Sequence, residues 1–127
     1  MFDTVLFPID QSRQTLDTAA VALQLAQRHG SRLVVLSVVE AEDGAMQDPV
    51  AVHDLLEQAR GRFEEAGVPC EVIEREGKPA FVIGDVADEI NADVIVMGTR
   101  GISLDADRTS TAARVIQLAP CPVLVVP

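Results

Sequence analysis

The chain has 127 residues, 48% of them hydrophobic and 24% charged, which supplies a core for one domain and is too short for two. Lys and Arg total 10 against 20 Asp and Glu, for a net charge of -10; a surface of that sign argues against a free nucleic-acid binder. No apolar run reaches the roughly 18 residues of a membrane span, and Met1-Phe2-Asp3-Thr4 puts no basic region ahead of an apolar stretch, so neither a membrane segment nor a signal peptide is expected and the chain reads as cytoplasmic.

The apolar pattern changes period along the chain. Thr4-Val5-Leu6-Phe7-Pro8-Ile9 is a short run ending at Asp10, and the spacing predicts a strand. Leu16, Ala19, Ala20, Leu23 and then Ala26 or Gln27 recur near every 3.6 residues up to Gly30, as on one face of a helix. Leu33 to Val39 is a second strand run, ending at Glu40, and 41–47 is a polar stretch expected to form a loop. Val52, Leu55, Leu56, Ala59 and Phe63 predict a second helix stopped by Gly67 and Pro69. Cys70 to Glu74 alternates, as a strand open to water on one side does. Val82, Ile83, Val86 and Ile90 mark a third helix from about Pro79, a residue suited to the first turn. Asp93 to Met97 is a strand stopping at Gly98, Ala112, Val115, Ile116 and Ala119 predict a short helix ended by Pro120, and Pro122 to Val126 is a closing strand. Strands alternating with helices imply an α/β fold with a parallel sheet and helices on both faces. The first, second and fourth runs are continuous enough to be buried on both sides.

Open α/β sheets bind ligands beyond the carboxyl ends of their strands. Those ends carry Asp10, Val39-Glu40 and Gly98-Thr99-Arg100-Gly101. Two roles fit Asp10: a carboxylate favourable near a helix start, or an acceptor for ligand hydroxyl or amino groups. Gly98 and Gly101 make a turn, or let backbone approach a ligand closely. Thr109-Ser110-Thr111 cap the last helix, or bind phosphate there. Asp105 and Asp107 are solvated loop carboxylates or oxygen ligands for Mg²⁺, with Arg100 and Arg108 nearby in sequence to offset them. No catalytic set emerges. Neither cysteine, Cys70 or Cys121, has a neighbouring His, and both read as small apolar strand residues. His29 suits a helix end, and His53 reads as solvent-facing. Without a Walker lysine or an assured metal site, a slow ATPase is the most that hydrolysis chemistry could amount to.

The chain resembles the universal stress protein family along nearly its whole length. Thr4 to Ser12 resembles the family's opening strand followed by Pro-Val-Asp-Gly-Ser. Gly77-Lys78-Pro79 through Gly98-Thr99-Arg100-Gly101 resembles its glycine-led helix and Ala-Asp-Val-Ile-Val-Met-Gly-Thr-Arg-Gly strand end. Ala119 to Val126 is similar to its closing strand. The resemblance implies a Rossmann-like three-layer fold with five parallel strands in the order 3-2-1-4-5. It also implies a homodimer paired through the last strand, Val123 to Val126, an apolar edge of the kind that pairs with another chain. Many members bind ATP through Gly, two residues, Gly, nine residues, then Gly and Ser or Thr. Gly98 and Gly101 are present here, but Thr109 stands at the third glycine, with Ser110 beside it, after seven residues instead of nine. The resemblance assigns adenosine contacts to Pro8, Ile9, Asp10, Val38, Val39, Met97 and Gly98, and phosphate contacts to Gly101, Ser110 and Thr111. The departures bear on the phosphates more than on adenosine, so the expected ligand is an adenine nucleotide, ATP, ADP or AMP, with or without Mg²⁺, and the shortened loop suits fewer phosphates better than ATP. Three functions follow for testing: a regulatory adenine-nucleotide-binding stress protein, a dimeric interaction module without nucleotide, and an enzyme.

Overall fold

The computed structural model describes residues 2–9, 14–39, 49–98 and 111–127. Nine elements alternate along it: β1 (Thr4–Ile9), α1 (Gln14–His29), β2 (Arg32–Val39), α2 (Pro49–Glu65), β3 (Cys70–Glu76), α3 (Pro79–Glu89), β4 (Val94–Gly98), α4 (Thr111–Leu118) and β5 (Val123–Val126). The five strands form one sheet in the order β3-β2-β1-β4-β5, all parallel. The expected α/β class and strand order are both observed.

Side-chain alternation sorts the core into two layers. Val5, Phe7, Ile9, Leu33, Val35, Val94 and Val96 face α1 and α2, where they meet Ala22, Ala26, Leu56 and Phe63. Leu6, Val34, Leu36, Val38, Ile95 and Met97 face α3 and α4, where they meet Ala80, Ile83, Val86, Ala112 and Val115. The Phe7 and Phe63 rings meet edge to face at 6.1 Å, a favoured aromatic geometry. The three central strands are the most apolar because both their faces are covered, and each fully buried side chain there contributes about 1.5–3 kcal/mol.

One expectation is met in part and one is corrected. β3 exposes Glu71 and Arg75 on one face, as the alternation predicts, but Ile73 between them is half-buried. The strand runs on to Glu76, and Val72 packs with the α1/α2 layer while Ile73 packs with the α3/α4 layer. α2 packs on the Val72 side of this outer strand, while Glu71 and Arg75 on the other side remain exposed. Cys121 is not a strand residue: β5 begins at Val123, and Cys121 sits half-buried in the turn before it.

Candidate functional site

The chain order fixes where the strand order reverses. β1 to β2 to β3 builds outward on one side of β1, then the chain crosses back to lay β4 and β5 on the other side. The reversal falls between β1 and β4, the position at which such sheets bind ligands. That pairing starts at a clamp near the amino ends of the strands: the Thr4 amide donates to Asp93 Oδ2 at 2.9 Å, and the Asp93 amide donates to the Thr4 carbonyl at 2.8 Å.

At the opposite, carboxyl ends lie six of the predicted residues. Val38 and Met97 are both buried in the α3/α4 layer. Pro8, half-buried, follows Leu6 by alternation onto the same side. Ile9 and Val39 belong to the α1/α2 layer. The structure thus divides the predicted adenosine set: Pro8, Val38 and Met97 present an apolar surface on one side, and Ile9 and Val39 present theirs on the other. Gly98 ends β4 opposite Val126. Thr111 opens α4, whose first turn carries no acidic residue; a helix start of that kind presents N–H groups to an anion without a competing carboxylate. Asp10, Gly101 and Ser110 lie outside the described residues, as do Arg100, Asp105, Asp107, Arg108, Thr109 and the 41–47 segment.

Sequence reasoning passed over Ser37. It lies on β2 opposite Ile9, is fully buried, and its Oγ has no hydrogen-bond partner among the described residues. The signal was present as the one hydroxyl inside the Leu33–Val39 run.

The thiols stand apart from the site. Cys70 begins β3 and Cys121 precedes β5, both at the amino ends of the strands. Burial pushes the Cys70 thiol up to about 11, with Arg60 opposing and Glu64, Glu57 and Glu71 adding to the rise. Burial, aided by Asp93, raises Cys121 as well. Thiols held protonated in this way are poor nucleophiles. His29 and His53 are both exposed. Among the described residues no group of three or more His, Cys, Asp or Glu could hold a metal ion, and no helix is long and apolar enough to cross a membrane.

The sequence profile of the universal stress protein family matches residues 1–127, the whole chain. The chain belongs to that family. Its similarity to the universal stress protein Sll1654 of Synechocystis sp. is 49% identity, covering 100% of this chain and 87% of that one. To the universal stress protein in the QAH/OAS sulfhydrylase 3' region of Thermus aquaticus it is 38% identical, over 99% of both chains. Among solved structures, a universal stress protein in complex with cAMP is similar with a TM-score of 0.85 and 25% identity, covering 99% of this chain and 97% of that chain. The fold class read from the sequence is thus that of the family's solved members.

Proposed function

We propose that this universal stress protein is a regulatory binder of an adenine nucleotide with a single phosphate, acting as a homodimer. One observation carries the reading. Pro8, Val38 and Met97 share one side of the sheet at the carboxyl ends of adjacent strands, next to the β1/β4 reversal. That is an apolar rim suited to the face of a base, with Gly98 and the start of α4 beyond it for a phosphate. The solved family member that holds cAMP, itself a monophosphate of adenosine, supports the class of ligand.

Asp10, directly after β1, would accept from ribose hydroxyls, and Gly101, Ser110 and Thr111 would surround the phosphate. Seven residues separate Gly101 from Thr109, and Asp105 and Asp107 are among them. A Cβ at position 109 and two carboxylates both oppose a longer phosphate chain. Mg-ATP is therefore the weaker ligand. The same Thr109 favours a second reading, a dimeric interaction module that has lost nucleotide binding.

Calorimetric titration of nucleotide-free protein separates the two. AMP is expected to bind saturably at micromolar Kd, at least about tenfold tighter than Mg-ATP. Equal or tighter Mg-ATP binding would remove the monophosphate preference. No saturable heat at two temperatures, with the protein folded, would favour the interaction module.

A further inference from the structure

The β2 rim of this site is held from one side only. β1 pairs with β2 as far as Ile9 opposite Ser37, whereas β3 continues to Val39 opposite Glu76. Val38 and Val39 therefore overhang the β1 ladder, and their described ladder support comes from β3. The last bond of that ladder is made by Gly77, whose N–H donates to the Val39 carbonyl at 3.0 Å.

Gly77 is not replaceable there without movement. Its φ is +145°, and a Cβ would sit 2.8 Å from Val82 Cγ2. Only glycine occupies that backbone region without strain, and a valine in a helix has one strongly preferred χ1 well in which to sit. The next residues give little room to yield. Pro79 stands at the start of α3 with its φ locked by the ring. The Val82 N–H donates to the Lys78 carbonyl at 3.0 Å, and Ala80 and Ile83 are buried in the same cluster as Val38. A shift at Gly77 must move either the last carbonyl of β2 or the start of α3, and both border the rim.

We infer that Gly77 is a positioning residue for the nucleotide site, fixing the Val38–Val39 rim from the side away from the ligand. The inference rests on the nucleotide reading above. Gly67 supplies the control. It has φ +80° with no atom within 4 Å of a built Cβ, and it lies between α2 and β3, at the other end of the sheet. Gly67→Ala and Gly77→Ala both strain the backbone and should both lower the melting temperature.

AMP affinity is measured by calorimetry below both transitions. It is expected to fall about tenfold or more in Gly77→Ala and to stay within about twofold of wild type in Gly67→Ala. Amide exchange on the unmodified protein gives a second readout. Saturating AMP is expected to slow the Gly77 amide about tenfold or more and leave the Gly67 amide unchanged. If Gly77→Ala does not fold, that exchange measurement decides alone. Wild-type binding of AMP with Gly77→Ala affinity unchanged, equal losses in both variants, or no protection of the Gly77 amide would each overturn the role while leaving the nucleotide reading intact. Failure of the wild type to bind AMP would overturn both.

Discussion

At position 37 a hydroxyl is enclosed on β2 with 0% exposure and without a hydrogen-bond partner among the described residues. A buried hydroxyl left unpaired forfeits its bonds to water, at about 1–3 kcal/mol. Replacing it with a methyl-sized apolar side chain removes that penalty and leaves almost no cavity. Ser37→Ala is therefore predicted to raise stability by about 1 kcal/mol in urea denaturation. A loss of stability instead would mean that the hydroxyl is bonded in solution, and would make it a structural polar anchor for the end of β2. The same scale shows why the site was only partly legible. Apolar residues at the ends of the first, second and fourth runs were visible as residues. Whether Pro8, Val38 and Met97 share a side depends on the phase of each strand, and pairing decides that: Leu6 stands opposite Val34 on one side and Ile95 on the other. The alternation of a single run cannot supply the phase of its neighbour. Gly77 was likewise visible as a helix leader, but its bond to Val39 joins the residue after β3 to the end of β2.

Elements were the most legible level, because the periods of 2 and 3.6 separate cleanly in this chain. Each expected strand and helix is present, and the end of α2 falls where Gly67 and Pro69 mark it. At β3 the alternation holds at Glu71 and Arg75, which stay exposed, and is interrupted at Ile73, which packs with the α3/α4 layer. The two outer strands also differ in a way that bears on assembly. β3 carries the exposed charges Glu71, Glu74, Arg75 and Glu76, which discourage edge-to-edge pairing. β5 reads Val-Leu-Val-Val with no charge. Leu124 on it is 40% exposed, and Ile116 and Leu118 on the adjoining α4 are exposed as well. An uncharged edge with apolar neighbours is where the proposed dimer would form. Leu124→Lys places a charge on that edge and is predicted to shift the protein from dimer to monomer in sedimentation equilibrium, with the circular dichroism of the fold retained. A wild type that sediments as a monomer, or a Leu124→Lys protein that stays dimeric, would remove β5 as the interface.

Over the whole molecule the net charge of -10 sets a background that every anionic ligand must enter. Each added phosphate brings more negative charge, so the unfavourable field energy grows from AMP to ATP in the absence of Mg²⁺. The field is long-ranged and screenable: the Debye length falls from about 10 Å at 0.1 M salt to about 3 Å at 1 M. The steric opposition proposed for Thr109 and the short loop is a contact effect and does not respond to salt in that way. The two sources of discrimination can therefore be separated on one axis. In Mg²⁺-free buffer the ratio of AMP to ATP affinity is predicted to exceed one at low salt and to narrow as salt rises toward about 0.5 M, without reaching one. The narrowing measures the share owed to molecular charge, and the residue that persists measures the share owed to the loop. A ratio that does not change with salt would assign the discrimination to position 109 and its loop alone. A ratio that collapses to one would make the acidic surface, not the missing glycine, the reason for a monophosphate preference, and Thr109→Gly would then leave the ATP affinity unchanged.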